Sequence, residues 1–371
     1  MNYRAVLISA LTILLLPYST LCLAKNLLSL PSPTQEKTIF VHPKGNDKAE
    51  NTLSTPFATI QRALNIAQPG DTILLMQGEY LQDVSTIRAG LPNKPIKIAG
   101  MPGAIVKGGG KTSIFDIRHS YIELRNFSID GLFSSSNEVT AFRKKLIYVK
   151  GLKNQGITGI KLLYMDIKNA RDECIRIKYQ ALKNEVAYSH ISYCGAQDYQ
   201  FNDGTKNHNG EAIYIGTAPE QIAEGKNPSK EIDHSNHNWI HHNTIESHGS
   251  ECIDVKEGSR FNIIEYNSCM YEKDLNVGGI SIRGNNNTIR YNHVASNLGA
   301  GIRLGGDTDL DGINNEVYGN YLNNNQNGGL KIMRQPQGPI CDNTIVTLKG
   351  QKSIRVGKNM DKTLYTNTCE K

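Results

Sequence analysis

The chain has 371 residues, 39% of them hydrophobic and 20% charged, with a formal net charge of +6. That length allows one large domain or two small ones. The mild positive balance permits an acidic ligand, while the absence of basic runs interleaved with aromatic residues argues against a nucleic-acid partner.

In chain order, Arg4 is followed by an apolar run to Leu16, then Pro17 and Leu21-Cys22-Leu23-Ala24. This is the pattern of a signal peptide over residues 1–24, the run being short for a membrane span. Leu21 stands where a lipobox needs a small residue, so Cys22 is not read as a lipid anchor. The expected mature protein is secreted or periplasmic, free of the membrane, monomeric and charged at about +5 once Arg4 is removed. Residues 25–37 read as a short polar lead-in and residues 38–371 as a single domain. Thr55-Pro56 then gives a helix-start signal, with Phe57, Ile60, Ala63, Leu64 and Ala67 on one face and Pro69-Gly70 as the stop. An amphipathic helix here reads as the cap of a solenoid.

Downstream, one phrase repeats: a small residue, then apolar-x-apolar. It opens at Leu146, Cys174, Ala212, Cys252, Gly279, Gly301, Gly329 and Ser353, with a fainter unit around Ile114–Ile117. The openings lie 28, 38, 40, 27, 22, 28 and 24 residues apart. Strand-like alternation at that period, punctuated by Asn285-Asn286-Asn287, Asn314-Asn315 and Asn323-Asn324-Asn325, predicts stacked β-coils with sharp asparagine corners. The expected fold is all-β, a right-handed parallel β-helix with the N-terminal helix as its cap.

Stacking makes distant residues neighbours. Lys178, Gly216, Lys256, Arg283 and Gly305 form one row, about 4.8 Å apart. Arg176, Tyr214, Asp254, Ser281 and Arg303 form the row beside it, and Glu173, Glu211 and Glu251 precede the strands. Alternation predicts that these rows face solvent on one wall. Lys256 beside Arg283 predicts a lysine of lowered pKa, suited to proton abstraction. The small residues Cys174, Ala212, Cys252, Gly279 and Gly301 predict room for a ligand. Insertions at about 197–209 and 217–236 should rise beside the same wall. Among the cysteines, Cys174 and Cys252 share a column two coils apart, beyond disulfide reach, and Cys194 and Cys269 repeat that relationship. Only Cys341 with Cys369 is expected to bridge. Asp307, Asp309 and Asp311 read as an acidic surface turn, and His234, His237, His241 and His242 as corner residues. Trp239 reads as core or as a platform for a sugar ring, and Tyr214 is a second such platform.

Several segments resemble polysaccharide lyase family 6, the family of chondroitinase B and alginate lyases. They are Asn209 to Thr217, Glu251 to Lys256, Gly279-Ile280-Ser281-Ile282-Arg283-Gly284-Asn285 and Gly301-Ile302-Arg303-Leu304. Pro69-Gly70-Asp71-Thr72-Ile73, Gly78-Glu79-Tyr80 and Asn93-Lys94-Pro95-Ile96 are similar to its entry coil. The resemblance implies β-elimination on a uronic-acid polysaccharide of alginate or chondroitin/dermatan type. Lys256 would be the base and Arg283 the charge stabiliser and acid. Lys178, Arg176, Tyr214 and Arg303 would bind substrate, and Glu211, Glu251 and Asn209 would hold Ca²⁺, with Asp254 as an alternative ligand. Gly249 departs from the family, which usually places a further carboxylate there. A uronate C5-epimerase and a non-catalytic glycan-binding or adhesin β-helix are the alternatives.

Overall fold

The computed structural model describes residues 36–369, except 137, 202–208, 359, 362 and 364. The expected signal peptide therefore lies outside the described residues. Among those described, no helix is long and apolar enough to cross a membrane.

The described chain winds as a parallel β-helix. Three long sheets of 11, 10 and 10 strands stack coil upon coil, beside one two-stranded sheet. The sheet built from the repeated phrase runs from Val84–Ser85 through Ser113–Ile117, Lys145–Lys150, Ile175–Lys178 and Ile213–Ile215. It continues through Ile253–Val255, Gly278–Ile282, Ala300–Leu304 and Leu330–Ile332 to Ile354–Val356. Its register is the one the repeat predicts: Tyr148, Arg176, Tyr214, Asp254, Ser281, Arg303, Lys331 and Arg355 align on consecutive strands. The flanking Ile and Val side chains point inward, where Ile175, Ile213, Ile253 and Ile280 belong to one continuous buried core. Alternating side-chain direction makes this register obligatory, because a one-residue slip would expose the whole apolar row.

The corners use asparagine in two ways. Asn286, Asn314 and Asn324 take the left-handed conformation, with φ of 58°, 57° and 52°. The next residues, Asn287, Asn315 and Asn325, turn inward and join buried amide ladders. One ladder runs Asn184, Asn238, Asn262, Asn287, Asn315, with each Oδ1 accepting the backbone N–H of the residue one coil earlier. A second runs Asn243, Asn267, Asn292, Asn320, Asn343, Asn367. Such ladders satisfy corner donors that sheet pairing leaves over.

Two expectations need correction. The helix spans Ile60–Ile66 and is capped by Thr59, not Thr55. The residues ahead of it are held elsewhere: Phe57 pairs with the first strand, Thr38–Val41, through Phe40 and His42. The Asp47 carboxylate takes the N–H groups of Ala58 and Thr59. Tertiary pairing therefore overrides the Thr-Pro start signal, while Ile60, Ala63 and Leu64 still bury against the first coils. The cysteines also pair more fully than expected. Cys174 bridges Cys194 and Cys252 bridges Cys269, in addition to Cys341 with Cys369. The separations of 20 and 17 residues are nearly one turn, so each bridge ties a coil's opening to the point where the chain returns beside it. Columns two coils apart are out of reach, as the spacing requires, but the bridges run across the coil and not along the column.

Candidate active site

The wall is covered more than alternation predicts. Asp254 is fully buried, and Arg176 and Lys178 are only 6% and 3% exposed. The covering comes from the segment after Gly216, which adopts φ of 89° as the chain leaves the sheet. The segment folds back so that Gln221, on the short helix Pro219–Ala223, accepts from Arg176 at 2.5 Å. The Lys226 carbonyl accepts from Lys178 at 3.2 Å and from Lys150 at 3.3 Å. The other insertion lies partly outside the described residues. Within it, Asn209 donates its N–H to Asp198.

At the centre, Glu211, Glu251 and Asp254 bring a carboxylate oxygen each within 4.8 Å of one another, all buried. Burial, and then the neighbouring carboxylates, pushes the acid groups of Glu211 and Glu251 above their ordinary range. Neither Asp254 oxygen has a hydrogen-bond partner among the described residues, although the Lys256 ammonium lies 2.5 Å from Oδ2. Three buried carboxylates, with Asp254 Oδ1 unpartnered among the described residues and Oδ2 paired only with Lys256, fit a hard divalent cation such as Ca²⁺. Asp254, the alternative ligand, thus supplies the third carboxylate of the cluster.

Lys256 departs from expectation. Burial works to lower its pKa, but Asp254, then Tyr214 and Glu211, override it and hold the ammonium well above its usual range. Arg283 opposes them only weakly. The expected repulsion is small because Arg283 is engaged elsewhere, by Glu257 at 2.5 Å and by Asp307. Residues two apart on a strand share a face, and here Asp254 turns its carboxylate to Lys256, 2.5 Å from the ammonium. Asp307 sits in the acidic turn and closes over Arg283.

Tyr214 lies between two cations, with the Arg176 guanidinium 3.9 Å and the Lys256 ammonium 4.6 Å from its ring centre. Its ring is a buried electrostatic platform, not an open face for sugar. Arg176 also pairs with Glu173, whose other oxygen receives Lys145 at 2.6 Å. Burial, then Arg176 and Lys150, pushes the Lys178 amine down to about 7. Arg303 is half-buried in the next part of the row. The small residues under the wall face inward and leave no room for a ligand: a Cβ on Gly279 would meet Cys269 Sγ at 2.8 Å. Gly249 likewise has no space for a side chain, since its Cβ would lie 2.1 Å from the Cys194 carbonyl oxygen. The histidines stand apart, with His237 stacked on Phe261 and His242 between Tyr188 and Tyr266. Trp239 lies on another sheet, 41% exposed and stacked on His241.

Coil, sheet and cluster define the class of protein: a parallel β-helix carrying a cationic row and a buried carboxylate cluster on one sheet. The profile of the family described as "Protein of unknown function (DUF1565)" matches residues 43–248, and the chain belongs to that family. A Bacillus subtilis relative, the uncharacterized protein YwoF, is 29% identical over 138 residues, which span 33% of this chain and 29% of that protein. Among solved structures, an alginate lyase from Paenibacillus sp. str. FPU-7 superposes with a TM-score of 0.61 at 18% identity, covering 86% of this chain and 99% of that one. Pectate lyase Pel9A gives 0.56 at 15% identity, covering 91% and 79%. A mannuronic acid specific polysaccharide family 6 lyase from human gut microbiota gives 0.51 at 17%, covering 80% and 67%. At these identities the likeness establishes the fold.

Proposed function

We propose that this protein is an exported polysaccharide lyase that cleaves a uronic-acid polysaccharide by β-elimination. The observation that carries the reading is Lys256 and Arg283 at the ends of two paired strands, beside the buried Glu211, Glu251 and Asp254 cluster. The family 6 resemblance of those segments and the lyase activities of proteins with this fold support it. Three disulfides suit an oxidising compartment.

In the reaction the C5–H bond breaks and leaves its electron pair on C5 and the adjacent carboxylate. That pair forms the C4–C5 double bond as the C4–O bond breaks, and the leaving oxygen takes a proton. Lys256 Nζ receives the C5 proton, which requires it to meet the substrate as a free amine, released from Asp254. Arg283 balances the charge that develops beside the uronate and assists the leaving oxygen. Tyr214 fixes Lys256 laterally through its ring. Glu211, Glu251 and Asp254 would hold a divalent cation, which would supply neutralisation of carboxylate charge.

The test is ultraviolet absorbance of unsaturated uronate with alginate, dermatan sulfate and polygalacturonate as separate substrates, each with Ca²⁺ or chelator. Lys256→Ala is expected to lower turnover at least about 10²-fold. A flat trace for the wild type on all three overturns the lyase reading for those polymers.

A further inference from the structure

We infer that the groove is closed at one end, and that the cavity at its closed end is a pocket for the terminal residue of an acidic polysaccharide chain. The inference rests on the lyase reading for its substrate class but on separate residues for its geometry. The segment that leaves the sheet at Gly216 is fastened down over the N-terminal coils. Thr217 donates to Asp233 at 2.6 Å, the Tyr179 N–H donates to the same carboxylate at 2.6 Å, and Gln180 donates to the Ile232 carbonyl at 2.8 Å. Beneath it remains a cavity of 640 Å³, with Tyr148, Arg176 and Lys178 below and Gln221 and Lys226 above.

That volume falls within the range of small-ligand pockets; its lining is mixed, with the buried Asp172 and Glu173 taken up by Lys145 and Arg176, while Lys178 makes no ion pair among the described residues. Arg176 Nε has no hydrogen-bond partner among the described residues. A uronate carboxylate suits Lys178 and the free edge of Arg176, because an anion offsets the cost of holding the Lys178 ammonium out of water. The pocket adjoins the candidate base, since Arg176 and Lys256 lie over the same Tyr214 ring.

The opposite side of the centre differs. Arg303, Lys331 and Arg355 continue the row over three further strands, and Arg355 is exposed. A polymer can therefore lie along the C-terminal coils but cannot pass beneath the fastened segment. Cleavage would then fall a fixed, short distance from a chain end.

Binding of uronate oligomers tests this without turnover. Lys256→Ala would be titrated with oligomannuronate, oligoguluronate and oligogalacturonate of increasing length, and the number of protein molecules bound per chain read by calorimetry. A terminal pocket predicts one molecule per chain at every length, and Lys178→Ala in the same background is expected to weaken binding roughly tenfold or more, the loss of a charge-assisted hydrogen bond. Occupancy that rises with chain length overturns the pocket, whether or not the wild type makes a double bond. One molecule per chain without any unsaturated product from the wild type overturns the lyase reading and keeps the pocket. No binding to any of the three overturns both. Should Lys178→Ala fail to fold, the stoichiometry decides alone. With an active wild type, short fragments of uniform length from the first turnovers support the pocket, and an initial broad ladder of sizes overturns it.

Discussion

Lys178 is the side chain whose setting most limits its charge. Burial, Arg176 and Lys150 leave its amine at about 7, below the ordinary lysine range. Between about pH 7 and about pH 10 the unfolded chain then binds more protons than the folded one, so this group makes stability rise with pH across that window. Below it, both states are charged and the full cost of burial stands. Lys178→Met is expected to raise the urea midpoint at about pH 6 and to change it little above about pH 10. A larger gain at the alkaline end would show that Lys178 is not held in this way. The carboxylate cluster makes a different prediction. Calcium should raise the melting temperature of chelated wild type, by about 2.7 kcal/mol of stability at a hundredfold excess over its dissociation constant. Glu251→Gln should lose most of that shift. Adding a carboxylate before the cluster with Gly249→Asp should fail, because the Cys194 carbonyl oxygen occupies the space its Cβ would need.

At the scale of elements, the inward asparagines do more than tolerate tight corners. Asn292 donates to the Ile264 and Arg290 carbonyls and to Asn320 Oδ1, and accepts from Asn267. Asn292→Ala strands several buried partners at once and is expected to cost about 3 kcal/mol in chemical denaturation. A loss within about 0.5 kcal/mol would place the ladder's contribution elsewhere. The strand openings and their register were legible in the sequence because Ile175, Ile213, Ile253 and Ile280 must all face one core, leaving a single register. Cys174 with Cys194 was legible too, as a separation close to one turn, but only once pairing across the coil is considered. The covering of Arg176 by Gln221 was not legible. The two residues are 45 apart with most of a coil between them, and the segment after Gly216 has no periodicity to show which coil it lies over. Nor could row order alone rank Asp254 above Arg283 as the governing neighbour of Lys256; that takes the distance.

For the molecule as a whole, the coil stack is a rigid ruler and the loops decide where a ligand may lie on it. The site belongs to the ruler: Asp254 sits on a strand, Glu211 and Glu251 just before consecutive strands, and Lys256 and Arg283 directly after theirs, on a frame fixed by backbone pairing. Access belongs to the Thr217–Asn236 segment and to the turn bearing Asp307. This division explains why fold and candidate chemistry were readable from spacing while the groove's closed end was not.

The C-terminal tail has a further consequence. Asn367 accepts from both the backbone and the side-chain amide of Asn343, Cys369 is joined to Cys341, and Tyr365 packs on the core. The tail thus stands in for the coil that would otherwise come next. A parallel stack without such a stop offers unpaired strand groups on its last coil, a template onto which another chain can add. Because top and bottom of a solenoid are different surfaces, that addition would be head-to-tail and would not close. A chain ending at Thr363 is therefore expected to grow into linear assemblies on light scattering, where the full chain does not. In that light the last disulfide is a guard against polymerisation as much as a staple for the fold.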